Sequence, residues 1–347
     1  MNTTEKLLSE RKLPKLPETR EEMLTILERE EYGPVPPAPE EVTAEALEPE
    51  IDKCAGHAVY GHCMLRVRMP SFRVSFPIRT LLPKKYPEGG APCFVFINFR
   101  PEVPDWYLPA EEIIDRGYGV ISIYYNDITN DKEDGYTTGI APVMRAVYGA
   151  TSKISLWAWA CSRALDYALT LPCIAKDRIA VIGHSRLGKT ALWAGANDER
   201  FAAVISNDSG CSGAAISRGK IGESIARIST VFPYWSIDAY KAYADREYEA
   251  PFDQHFLLAS VAPRLLIVHS ASEDSWADPV SEYLSCCAAE EAWKRAGVPG
   301  FDHPDRLPEI GERIGTGSIN YCLREGTHCL SRTDWVWYMD YLDTKFR

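Results

Sequence analysis

Short apolar runs at residues 93–98, 120–124, 179–182, 203–206 and 265–269 constrain the fold of this chain more than any other feature. They are rich in Val and Ile and lack the alternating polarity of a half-exposed strand, so each must be covered on both faces. Helical patterns fall between and after them, at 110–116, 152–170, 186–195, 279–295 and 332–345. Such alternation leaves few solutions other than a doubly wound parallel sheet with helices on both sides. Upstream, 59–69 and 72–82 do alternate, which predicts antiparallel strands leading into that sheet. The expected class is α/β, a three-layer sandwich around a mixed, mostly parallel sheet.

Residues 1–50 are charged and Pro-rich, with a helical patch at 20–31, and read as a leader packing on the body. Residues 51–347 read as one domain, a size compatible with a single large α/β unit. The stretches 209–258 and 297–317 exceed ordinary connector length and are expected to be lids or substrate loops. The first carries Phe232-Pro233-Tyr234-Trp235, a candidate pocket wall. A net charge of −11 argues against a nucleic-acid partner, and no apolar run approaches the roughly 18 residues of a membrane span. The first six residues have no apolar core behind their charges. The chain as it stands is therefore expected in the cytoplasm, or outside it had an export signal been removed. Ten cysteines without any C-x-x-C, mostly in apolar company, read as buried free thiols rather than disulfides or zinc ligands. No metal or organic cofactor is implied, and the oligomeric state is not legible.

Gly183-His184-Ser185-Arg186-Leu187-Gly188 follows the run at 179–182 and opens a helix. A serine at a tight strand-to-helix turn is the nucleophile elbow of an α/β-hydrolase, where backbone N–H groups at the helix start can stabilise an oxyanion. In that fold, 209–258 becomes an insertion between strands 6 and 7. The expected chemistry is cleavage of a carboxylic ester through an acyl-enzyme on Ser185. One detail departs from G-x-S-x-G: Leu187 takes the place of the second glycine, which arrives one residue later as Gly188.

Enzymes of this type keep the order Ser, acid, His. Downstream of Ser185, His255 opens a helix, His269 ends a buried strand and His303 lies in a Pro-rich loop. His328 follows a strand running into a loop before the last helix, the expected place for the base. Two carboxylates can orient it: Asp274 after the run 265–269, or Asp208 after the run 203–206.

At these residues the sequence resembles the glucuronoyl esterases, carbohydrate esterase family 15, particularly their bacterial branch. The resemblance rests on Gly183-His184-Ser185-Arg186-Leu187-Gly188-Lys189, Asn207-Asp208-Ser209-Gly210-Cys211-Ser212-Gly213, Ala262-Pro263-Arg264, Asp274-Ser275-Trp276-Ala277-Asp278-Pro279 and Arg324-Glu325-Gly326-Thr327-His328. A weaker match lies at Ala110-Glu111-Glu112-Ile113-Ile114-Asp115-Arg116-Gly117-Tyr118. It implies cleavage of the ester between a (4-O-methyl-)glucuronate carboxyl and an alcohol of lignin, in a small-molecule or oligosaccharide uronate ester. Carried over, Arg186 supports the oxyanion, Lys189 and Glu223 hold sugar hydroxyls, and Trp276 packs near the ring. In the family the acid after the strand at 203–206 is often Glu. The shorter Asp208 stands there in this chain, which makes Asp274 the first choice.

Two rivals share the pattern. A general small-ester or sugar-acetate esterase needs the same serine, histidine and acid but not Lys189 or Glu223. A catalytically dead carbohydrate-binding protein is disfavoured by an intact Ser185, His328 and two acids.

Overall fold

The structure is a computed structural model and describes residues 3–346. Its strands are β1 (Glu41–Ala46), β2 (Ile51–Lys53), β3 (Ala58–Arg68), β4 (Arg73–Pro83), β5 (Ala91–Asn98), β6 (Gly119–Tyr124), β7 (Ile174–His184), β8 (Ala203–Asn207), β9 (Leu265–Ala271), β10 (Arg313–Ile314) and β11 (Ile319–Arg324). They form one sheet in the order β1-β3-β4-β6-β5-β7-β8-β9-β11-β10, with β2 beside β3. From β6 to β11 the strands are parallel, while β1, β3, β4 and β10 are antiparallel to their neighbours. The expected mixed, mostly parallel α/β sandwich is what forms.

Successive side chains along the parallel strands enter two separate cores, as the two-residue strand period requires. Cys93, Val95, Ile97, Val181, Val204 and Val268 join one, beneath the helices Lys153–Ala168, Arg186–Asn197 and Pro279–Arg295. Phe94, Phe96, Ile182, Ile205 and Ile267 join the other, beneath Ala110–Asp115 and Arg332–Lys345. Coverage on both faces explains why these runs lack polar positions. Asp177 and Arg178 lie inside β7. Ile174 pairs with Ala91 and Ile179 with Cys93, so the residues between them bulge out of the ladder.

The first fifty residues hold more structure than a surface wrap. Leu16, Met23, Leu27 and Tyr32 are buried in the first core. The Tyr32 ring stacks on Trp193 of the helix Arg186–Asn197 at 4.5 Å, and its hydroxyl donates to Ser212 O at 2.8 Å. Ser155 Oγ donates to Tyr32 O at 2.9 Å and accepts from Trp193 Nε1 at 2.9 Å. The cysteines are all free, and seven of them are buried: Cys63, Cys93, Cys161, Cys211, Cys286, Cys287 and Cys322. No helix among the described residues is long and apolar enough to cross a membrane.

Tyr32→Ala removes a stacked, hydrogen-bonded ring from this seam. It should cost about 3–5 kcal/mol of stability, the range for truncating a buried aromatic, read as a lower urea midpoint with unchanged slope.

Candidate active site

Strand β7 delivers the chain into a sharp turn at Ser185, whose φ of 57° and ψ of −128° lie where a side chain is strained. A hydrogen bond from Ser185 N to Asn207 O, 2.8 Å, ties the turn to the end of β8. The flanking glycines are dictated by space. A Cβ on Gly183 would lie 2.0 Å from Leu187 O, and one on Gly188 would lie 2.9 Å from Ser209 Cβ. Leu187, by contrast, is fully buried in the first core. The helix therefore touches the loop after β8 three residues beyond the serine, which accounts for the displaced glycine. The first N–H groups of the helix Arg186–Asn197 have no acceptor within the helix and stand beside Ser185.

His328 sits on the loop leaving β11, and its Nδ1 lies 2.6 Å from Asp274 Oδ2 on the loop leaving β9. Asp274 is buried while the imidazole side chain is 40% exposed, so the ring remains open to a ligand. Burial works against ionisation of Asp274. The hydrogen bond and charge of His328 and the Ala277 N–H outweigh it and hold the carboxyl below its ordinary range. Asp208 stands nearby: one oxygen of each carboxylate and one His328 nitrogen lie within 4.8 Å of one another. The short Nδ1–Oδ2 separation suits a shared proton, since two ligands of a tetrahedral zinc would stand about 3.4 Å apart.

Asp208 itself turns inward. Its Oδ1 accepts from Ala271 N at 2.7 Å and its Oδ2 lies 3.6 Å from Arg324 Nη2. Burial and then the charges of Glu282, Asp274 and Asp334 push its carboxyl well up. The structure thus brings both expected acids to His328, and the direct contact is made by Asp274.

Ser185, His328 and Arg186 line a cavity of about 530 Å³ together with His184, Phe99, Arg100, Glu102 and Tyr107. The guanidinium of Arg186 is paired with Asp131. Lys189, Glu223 and Trp276 form a second, connected cluster. Lys189 Nζ donates to Ser209 O and Cys211 O, both at 2.6 Å, and to Glu223 Oε2 at 3.1 Å, which commits its three protons. Glu223 N donates to Trp276 O at 2.9 Å, and the Trp276 side chain is half exposed. Lys189 and Glu223 are buried, and none of the three lines the cavity that holds Ser185 and His328.

Sequence reasoning passed over Asp131, the loop from Phe99 to Tyr107, and His184 as more than a motif residue. The available signal was position: Phe99 follows β5 directly, and ligands gather at the carboxyl ends of parallel strands. The His184 ring lies 4.5 Å from that of His328, and its Nδ1 is 2.6 Å from Asn207 Oδ1. Burial, and then the neighbouring His328, depress it to about 3, so it stays neutral beside that ring. An unfolded His184 titrates near 6.5, so between about pH 3 and 6.5 the unfolded chain binds the extra proton. Its contribution is present above that window and is lost as pH falls through it. His184→Gln should flatten the acid side of the stability profile by about 1.4 kcal/mol per pH unit, read by urea titrations across that range.

The family model described as "Glucuronyl esterase, fungi" matches residues 73–297. Carbohydrate esterase MZ0003, from an unknown prokaryotic organism, is 41% identical over 238 residues, covering 67% of this chain and 55% of its own. The 4-O-methyl-glucuronoyl methylesterase 1 of Wolfiporia cocos is 31% identical over 232 residues, covering 63% and 55%. The chain thus spans little more than half the length of these curated relatives. Among solved structures, a glucuronoyl esterase from Solibacter usitatus superposes with a TM-score of 0.86 at 32% identity, over 95% of this chain and 93% of that one. A structure described as a promiscuous CE15 esterase, from the marine bacterial metagenome, gives 0.83 at 31% identity over 97% and 98%. With the family model matched across the central sheet, and bacterial structures covered almost end to end, the chain belongs to the glucuronoyl esterase family, carbohydrate esterase family 15.

Proposed function

We propose that this chain is a serine carboxylic-ester hydrolase acting on esters between (4-O-methyl-)glucuronate and an alcohol, with Ser185 as nucleophile, His328 as base and Asp274 as the acid that orients it. The observation that carries the reading is the 2.6 Å contact of His328 Nδ1 with buried Asp274, in the cavity that also holds the strained Ser185. A carboxylate on Nδ1 fixes the tautomer in which Nε2 is the free base. His328 takes the hydroxyl proton as Ser185 Oγ bonds to the ester carbon. The carbonyl electron pair moves onto oxygen, beside the helix-start amides and the Arg186 guanidinium. On collapse the C–O bond to the alcohol breaks, and the proton passes from His328 to the departing oxygen. Water, deprotonated by the same ring, then attacks the acyl-enzyme and restores Ser185.

A uronate ester has lost its carboxylate charge but keeps its hydroxyls. Glu223, set by Lys189, would accept from sugar hydroxyls, and Trp276 would pack on the ring. That neighbouring pair is the support for a sugar acid over a simple acyl group. One relative also favours a second reading: the esterase from the marine bacterial metagenome is described as promiscuous. A general small-ester or sugar-acetate esterase would use the same Ser185 and His328 and be indifferent to Glu223.

Hydrolysis of methyl and benzyl glucuronate, the matching galacturonates and 4-nitrophenyl acetate separates the two. Turnover of glucuronates that falls at least ten-fold in Glu223→Gln, with acetate turnover unchanged, is the expected result. Turnover of the acetate alone would sink the uronate assignment. Asp274→Asn should lower kcat by about 10³–10⁴, as loss of the orienting carboxylate does in comparable triads. Asp208→Asn should cost less than about ten-fold, and the reverse order would assign the role to Asp208.

A further inference from the structure

Arg186 is held by a device that no role assigned so far uses. Its guanidinium carbon lies 4.6 Å from the Trp235 ring centre, 5.2 Å from Phe232 and 5.6 Å from Phe99. Phe232 and Trp235 are themselves stacked at 3.8 Å with their ring planes almost parallel. The carboxylate of Asp131 closes this cage. Its Oδ2 pairs with Arg186 Nη1, and its Oδ1 accepts from Trp235 Nε1 at 2.7 Å. One carboxylate therefore fixes both the cation and the wall the cation leans on.

Asp131 is fixed in turn. Its N–H donates to Asn126 Oδ1 at 2.8 Å, and the Tyr125 hydroxyl donates to Oδ2 at 3.4 Å. The surrounding loop is pinned by fully buried Lys153, whose Nζ donates to Asn130 O, to Lys132 O at 2.6 Å and to Asp134 Oδ1 at 2.7 Å. Arg186 keeps donors to spare. Its Nε is buried and has no acceptor among the described residues, and the side chain is 27% exposed at the cavity. A flexible cation placed over a reacting carbonyl would lose much of its effect to motion. Charge pairing and three aromatic faces remove that motion before substrate arrives.

We infer that Asp131 is a positioning residue: it fixes the Arg186 guanidinium at the wall of the cavity that holds Ser185, so that charge developing on the ester oxygen meets a preset donor. The inference rests on the serine-hydrolase reading of this site but not on the identity of its substrate.

The test uses two readouts that need no uronate: the labelling rate of Ser185 by a fluorophosphonate, and kcat and KM for 4-nitrophenyl acetate. Asp131→Asn keeps the shape and an acceptor for Trp235 but removes the charge. Both the labelling rate and kcat should fall about ten-fold with KM within two-fold. Placed in the Arg186→Ala background, Asp131→Asn should cost nothing further. Methylguanidinium should raise the labelling rate of Arg186→Ala at least five-fold, and less than two-fold when Asp131→Asn is also present. An Asp131→Asn protein as fast as the parent would overturn the inference. So would the same ten-fold loss with and without Arg186, which marks a packing role, or rescue of equal size in the two backgrounds, nil included. If the parent protein itself fails to label, the serine-hydrolase reading fails instead.

Discussion

Three glycines leave no room for a methyl group where the helix carrying Ser185 meets the sheet, and the rest of the site depends on that closeness. Gly183 faces Leu187 O, Gly188 faces Ser209, and a Cβ on Gly195 would fall 2.2 Å from Val204 Cγ2. With the helix this near β8, Asn207 O reaches Ser185 N and Ser209 O reaches Lys189 Nζ. The strained serine is thus held by its surroundings, because backbone in that region persists only where neighbours over-determine it. Leader residue Tyr32 stacks on the same helix from its other side, through Trp193.

Behind the cavity lies an unusual density of buried charge. Glu282 accepts from Ser270 Oγ at 2.5 Å and from Gly210 N at 2.8 Å, and burial pushes it up to about 7. Arg324 Nε lies 2.9 Å from Asp334 Oδ2, and Asp334 Oδ1 lies 3.2 Å from His269 Nδ1. Of the histidines considered as bases, His269 and His255 are thereby accounted for as buried structural groups. His255 Nε2 lies 3.2 Å from Pro14 O, and burial depresses both rings. Burial and then the neighbouring acids push the Asp208 carboxyl up, whereas at Asp274 the hydrogen bond with His328 outweighs burial and holds the carboxyl down. Two acids of identical chemistry are separated by their surroundings, as is usual where neighbouring carboxyls must do different work.

What the sequence disclosed follows the strength of its local signals. Buried parallel strands were legible because cover on both faces leaves them almost continuously apolar. Strand β1 was not, because it is an edge strand whose side chains are nearly all exposed and so carry no alternation. Ser185 was legible because strain and crowding demand glycines at fixed offsets. His328 and its two acids could be shortlisted by order along the chain. The choice between Asp274 and Asp208 turns on loop geometry that no spacing encodes. Asp131 left no trace, since a loop aspartate 55 residues before Arg186 meets it only through the fold.

The start of the long insertion is sewn to the loop that bears Asp274. Lys220 Nζ donates to Glu223 O at 2.8 Å and to Trp276 O at 3.3 Å, Ile221 N donates to Asp278 Oδ2 at 3.0 Å, and Gly222 has φ of +73° with no space for a Cβ against Ser275 O. This segment cannot swing as an independent flap. A ligand that presses on Glu223 or Trp276 also presses on the peptide units flanking Asp274. The residues around Glu223 and the loop that orients His328 through Asp274 are thus one mechanical unit, and whatever loosens the first disturbs the second.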